Sequence, residues 1–418
     1  MATEDSLRKL RADGDPAARG FLDEGLKQSG HSPAEILAGL REPAADSPQW
    51  LHSLLDEWVR EGPDLPSWAN QERIADGQKF FHDWDLAICT ALFTASLPSA
   101  YAGARGAPVL ARVSQLAKEG TVAQRIGETG QMLLDITEPG ALDRGGPGYR
   151  RLVRVRMLHA AVRAWLLGPD PPDGSWPEAN GVPANQEDLL ATLMTFTTIV
   201  FRAIERMGID LPVPGQESYL HLWAVTGNLL GIVEAEQLGN LQHAQRLTDE
   251  LQQALQAPSD EGVFLMKVLL DEMEFAMPLG WLRVPRTLVR FLIGDRVANM
   301  IKVPAAAWWS PVLPRAAALN RRLNRFRWGR RISTFPAHLM GRRMIQFWID
   351  EHRRDERHPF TVTAEQRREW RIADDGTAVA AIRRSLRGHR QRRRMAHRRV
   401  SPEGIPSDGD GRGVVSRA

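Results

Sequence analysis

Apolar positions recur at three- and four-residue spacing along almost the whole chain, the period of amphipathic helices, and strand-like alternation is scarce. The pattern predicts an all-α protein. Breaks in it fall at glycine and proline. Gly62–Pro63–Asp64–Leu65–Pro66 closes an N-terminal helical region, and the next helix begins near Asn70. Pro139–Gly140 and Gly145–Gly146–Pro147–Gly148 precede a helix over about Arg150–Leu167. The run from Gly168 to Pro183 is too rich in Pro and Gly to be helical. Helices are then expected over Gln186–Met207, Glu217–Leu238 and His243–Gln256, with helical pattern continuing to about Val303. No internal repeat is visible.

The helix after Gly148 carries an anomaly. Leu152, Val155, His159, Val162 and Leu166 are spaced 3, 4, 3, 4 and share one face. A histidine inside an apolar stripe is either a buried neutral imidazole hydrogen-bonded to a neighbour, or an axial ligand to haem iron or another metal. Arg156 and Arg163 flank it at −3 and +4. Guanidinium groups there either pair with Asp or Glu at the surface or bind carboxylates such as haem propionates. One helix earlier, Arg125 and Thr129 lie on or beside the face set by Val122, Ile126, Leu133 and Ile136. A charge in a core stripe needs a partner or a polar cavity. Asp83 or Asp85 would supply the first, and a ligand-orienting patch over a cofactor would be the second.

Composition narrows the chemistry. The 418 residues include one cysteine, Cys89, which excludes a disulfide scaffold, an iron–sulfur cluster and zinc sites built on paired thiolates. There is no Glu-x-x-His, P-loop or Gly-x-Ser-x-Gly elbow. His82–Asp83–Trp84–Asp85 is a weak metal candidate, because neighbours on a helix point different ways. His221 reads as structural, and Trp308–Trp309 as core, interface or the lining of an apolar entry. No run approaches the roughly 20 apolar residues of a membrane span. The polar, acidic N-terminus is unlike a signal peptide, so a cytoplasmic protein is expected.

The net charge of +3 is unevenly distributed. Residues Arg315 to Ala418 hold 26 Arg, no Lys and 11 acidic residues, a net of +15, leaving −12 for everything before. Nine Arg lie between Arg383 and Arg399. Such a run is either a solvated tail or a salt-sensitive contact for nucleic acid, another polyanion or an anionic membrane surface.

Arg125-x-x-x-Thr129 followed by Arg156-x-x-His159-x-x-x-Arg163 resembles the catalytic domain of rubber oxygenase (latex-clearing protein) and the fungal MpaB oxygenases. Supporting segments are Asp15–Pro16, Ser96–Leu97–Pro98–Ser99–Ala100–Tyr101, Gly181 to Asp188, Phe196, and Glu217–Ser218–Tyr219–Leu220 with Trp223 and Gly227. The resemblance covers residues 15–300. It implies a single large helical domain with a globin-like core holding haem b, dioxygen as co-substrate and an apolar, unsaturated substrate of isoprenoid or lipid-like character. His159 would be the proximal iron ligand. Arg156 and Arg163 would support the ligand helix and the cofactor, and Arg125 and Thr129 would line the pocket. The family's pocket glutamate has no counterpart, since Leu86 to Lys118 contains no Asp or Glu, whereas Glu128 replaces a family lysine and is a candidate base or weak distal ligand. Residues 1–14 would be a lead, 301–375 a helical extension and 376–418 an Arg-rich, disordered tail. The competing expectation is a non-enzymatic helical haem- or partner-binding protein whose basic tail docks elsewhere.

Overall fold

The computed structural model describes residues 4–41, 47–115, 121–169, 171, 174–276 and 283–324, all within a compact unit spanning Met1–Thr363. A second unit, Ala364–Ala418, lies outside the described residues, as do the rest of the predicted extension and the Arg-rich run.

The described chain is all-α. Four helices open it: α1 (Glu4–Ala12), α2 (Pro16–Ser29), α3 (Pro33–Arg41) and α4 (Gln49–Glu61). Next, α5 (Gln71–Ala91) runs through a π-helical turn at Leu92–Ser96 into α6 (Leu97–Tyr101). Then follow α7 (Ala107–Gln115), α8 (Thr121–Thr137), α9 (Pro147–Leu166), α10 (Gln186–Phe196), α11 (Thr198–Arg206) and α12 (Val213–Leu229). The last are α13 (Leu241–Leu255), α14 (Asp260–Ala276), α15 (Val284–Met300) and α16 (Val312–Asn324). None of the described helices is long and apolar enough to cross a membrane.

Helix starts follow local chemistry. Asp15, Asn70, Asn185 and Asn240 each accept a backbone N–H from the first turn of α2, α5, α10 and α13. Pro16 and Pro147 sit where a missing N–H costs nothing. At the core, α5 and α12 are the most extensively packed pair among the described helices. Phe80, Phe196, Phe201, Tyr219 and Trp223 fill the space around that pair, with Phe196 stacked on Trp223 at 4.4 Å. Helix α9 is packed by α2, α3, α4, α8 and α12, so it buries far more than one stripe: Tyr149, Val153, Met157 and Ala161 are buried beside Leu152 and Val162.

Two predicted helices are shorter than their periodicity. The span Gln186–Met207 breaks at Thr197 (φ −119°, ψ −91°), where the hydroxyls of Thr197 and Thr198 donate to Leu193 and Met194 carbonyls and compete with the helix ladder. The span predicted to reach Leu238 stops at Leu229. Gly231, at φ +80°, closes it with Gly231 N–H to Asn228 O and Ile232 N–H to Gly227 O, a Schellman arrangement that only a left-handed residue completes. Likewise Gly294 (φ 81°, ψ 159°) kinks α15.

Candidate functional site

Helix α9 presents Arg156, His159 and Arg163 together, and the surrounding elements convert them into a buried polar cluster. Arg156 donates through Nε and Nη2 to the two carboxylate oxygens of Asp15 at 2.6 and 3.0 Å, and through Nη1 to Leu229 O at 3.3 Å. Its guanidinium also stands 5.5 Å from the Trp58 ring centre. Both members of the ion pair are buried. Burial pushes the Asp15 carboxyl up, but the hydrogen bonds and charge of Arg156 outweigh it and hold the group below its ordinary value. Asp15 also caps α2 by accepting from Ala18 N–H, so one carboxylate fixes both the start of α2 and the position of α9. Arg156 and Arg163 are therefore not the surface pairs that one reading of the sequence allowed.

Arg163 donates through Nε and Nη2 to the carbonyl of Ala184 at 3.2 and 3.0 Å. Its Nη1 is buried without a hydrogen-bond partner. Burial, opposed by Asp15 and reinforced by Arg156, lowers it to about 10, so it stays charged at neutral pH. His159 is partly buried as a residue, while its Nδ1 is shut off from solvent and has no hydrogen-bond partner. Burial and then the Arg163 charge push the imidazole down to about 3, against the opposing pull of Asp15. The ring is neutral at any physiological pH, the state a metal ligand requires.

Gln186 braces this cluster by donating to Gly14 O and Gly231 O at 2.7 and 2.9 Å and accepting from Val233 N–H at 3.0 Å. Beside it, Arg11 on α1 makes a two-pronged bond to buried Glu187 at 2.6 and 2.8 Å. Residues 1–14, set aside above as a lead, thus contribute a side chain to the support of α10. Asp15 entered the sequence reading only as part of Asp15–Pro16, and neither Gln186 nor Gly231 drew notice there as a site residue. The available signal for Asp15 was its cap-and-proline signature together with the carboxylate that a buried arginine needs.

The other predicted residues lie on α8. Arg125 falls in its second turn, and its side chain is outside the described residues. Glu128 and Thr129 are partly buried and both are engaged. Glu128 favours the charged form of Arg154, which donates to Gly39 O, Leu40 O and Ser47 Oγ. By the 3.6-residue period Arg154 sits about 140° around α9 from His159. His221 accepts Asn70 N–H at its Nε2 at 2.9 Å. His82 meets Thr137 O and Asp83 pairs with Lys79. No three His, Cys, Asp or Glu gather as a metal cage among the described residues.

Asp188, one turn into α10, is boxed with Asn185 through Asn185 Nδ2 to Asp188 Oδ2 and Asp188 N–H to Asn185 Oδ1, both at 2.9 Å. Burial and the Glu187 charge raise its carboxyl to about 7, against the pull of Arg11, Asn185 and Arg105. The folded state thus holds a proton here that the unfolded chain releases near pH 4, and stability from this group falls as pH rises from about 4 to 7. In thermal melts, Asp188→Asn should match the wild type most closely near pH 4.5. It should gain on the wild type by roughly several degrees in Tm by pH 8. A constant difference across that range would contradict the assignment.

Comparison with known proteins assigns the chain to a family. The family model "ER-bound oxygenase mpaB/B'/Rubber oxygenase, catalytic domain" matches residues 78–332, so α1–α4, and with them Asp15, precede the matched region. The chain is 26% identical over 278 residues to "Rubber oxygenase" of Streptomyces sp. (strain K30), covering 65% of this chain and 65% of that relative's length. The solved "Structure of Latex Clearing Protein LCP in the closed state" superposes with a TM-score of 0.57 at 24% identity, over 78% of this chain and 84% of that one, and shows the same helical fold. The chain is a member of the MpaB/rubber oxygenase catalytic-domain family.

Proposed function

We propose that the protein is a haem b-dependent oxygenase that uses dioxygen on an apolar substrate of isoprenoid or lipid-like, unsaturated character. The observation that carries this reading is the His159 imidazole, neutral, with a sealed Nδ1 that no protein group satisfies. A buried polar atom left alone costs about 1–3 kcal/mol, and a ligand that fills the site recovers it. The residues fit the cofactor: His159 would hold iron, and the spare Nη1 of Arg163 would meet a carboxylate of the porphyrin. A single imidazole suits a group that brings most of its iron ligands with it.

When bound, haem supplies the redox-active iron at which dioxygen is activated. The chain does the rest. Asp15 and Arg156 fix the rotation and depth of α9, and burial keeps the His159 lone pair free of a proton. Arg125 and Thr129 are assigned to the polar wall that orients the substrate, and the Glu128 carboxylate to holding or taking a proton. Support for these three is their spacing on α8 and the family match.

Expression with a haem precursor should give a protein with a strong Soret band, lost in His159→Ala while the helical circular dichroism persists. A colourless wild-type protein that does not take up added haem would overturn the reading. Oxygen uptake with alkene substrates then separates an oxygenase from a haem carrier.

A further inference from the structure

Trp308 is 87% exposed, the most exposed large apolar side chain among the described residues. It cannot belong to the core, one of the roles open to Trp308–Trp309 from sequence. It sits in the turn between α15 and α16, in a stretch of sequence unusual in charge. From Arg296 to Ile349 the sequence has eleven basic residues and no Asp or Glu.

Helix α16 is fastened on one side only. The Ala317 backbone closes on Gly208, which is at φ +80° and has no room for a Cβ. Asn320 Nδ2 donates to Met207 O at 2.9 Å and Arg321 Nη2 to Glu205 O at 3.0 Å. The other side faces solvent. Val312 (56%), Arg315, Ala316, Leu319 (58%) and Arg322 are exposed along it at helical spacing, with exposed Lys302 at the end of α15. An apolar stripe edged by cations next to a fully exposed tryptophan is the composition of a helix that lies in a lipid–water interface.

We propose that Trp308 and the outward face of α16 form a docking surface for an anionic lipid bilayer. Trp308, Val312 and Leu319 enter the boundary between headgroups and acyl chains, while Lys302, Arg315 and Arg322 meet the anionic headgroups. Charge selects this occupant. A second copy of the chain would bring Arg315 and Arg322 against their own kind. The chain's own continuation from Arg325 to Ala418, with 23 Arg against 11 acidic residues, carries the same sign of charge as the patch and would be drawn to the same anionic surface. A nucleic acid would answer the cations but leave Val312 and Leu319 without apolar contact. The surface is independent of the cofactor reading.

Cys89, the sole cysteine, is buried, so Val312→Cys in the full-length protein gives a single accessible labelling site. Labelled there with an environment-sensitive dye, the protein should show a blue-shifted, brighter emission with phosphatidylcholine–phosphatidylserine vesicles at 3:1. It should show little change with phosphatidylcholine alone. In a cosedimentation assay, Trp308→Ala/Leu319→Ser should weaken binding to the anionic vesicles at least fivefold with its melting temperature unchanged. An unshifted dye on vesicle-bound protein would overturn the proposal, because attachment would then run through other residues. So would undiminished binding by the double variant, a wild type that binds a DNA duplex but not vesicles, or a dimer that the double variant dissolves.

Discussion

Asp15→Ala is expected to cost about 3–5 kcal/mol of folding stability in urea titrations, one of the largest losses available to a single side chain here. The substitution strands Arg156, which is itself buried and would keep only the Leu229 carbonyl and the face of Trp58. Arg156→Ala should cost a similar amount by leaving Asp15 charged and unpaired. The double variant Asp15→Leu/Arg156→Met should cost less than either, because both desolvation penalties disappear with both charges. Gly231 belongs to the same device: its left-handed backbone lets the turn after α12 pass so close that an added Cβ would meet the Arg156 Nε at 2.7 Å. A loss below about 1 kcal/mol for Asp15→Ala would mean that water screens the pair, as it does at exposed sites.

What the amino-acid pattern made legible was local. Helix class, the start near Asn70, the glycine–proline break before α9, and the inward-facing His159 between two arginines all follow from neighbours within a turn or two. By contrast, α9 begins at Pro147 rather than Arg150, and the run after Leu167 holds a short 3-10 turn at Glu178–Asn180 that its Pro and Gly content hid. Thr197 and Gly231 escaped because hydrophobic spacing continues through both breaks, and backbone angles are invisible to a period. The partner of Arg156 escaped for another reason. Asp15 lies 141 residues away, and no local rule selects one carboxylate among many at that separation. The Arg11–Glu187 pair, 176 residues apart, is the same case. Periodicity also cannot say whether a helix is covered on one side or several. That is why α9 looked like a single stripe and proved buried far more widely, and why its arginines needed internal partners.

Gly77→Ala should destabilise the protein by about 1–3 kcal/mol or more, against the sign of helix propensity. In an open helix the exchange gains roughly 0.8–1 kcal/mol. At position 77 on α5 the new methyl would meet the backbone of α12: Ser218 O at 2.5 Å and Ser218 C at 3.0 Å, with Leu222 Cβ at 2.9 Å. A backbone carbonyl has no rotamer to retreat into, so relief requires the two most extensively packed helices to move apart. Gly20→Ala at an exposed position of α2, with nothing within 4 Å of its added Cβ, is the control and should raise Tm. Opposite signs for the two variants are the expected result, and a stabilised Gly77→Ala would show that α5 and α12 are not in backbone contact. Ser218 and Leu229 are about 16 Å apart along α12. The effects of Gly77→Ala and Asp15→Ala should therefore add. Less-than-additive loss would mean that α12 shifts as a rigid rod, carrying the carbonyl that Arg156 uses away from the site.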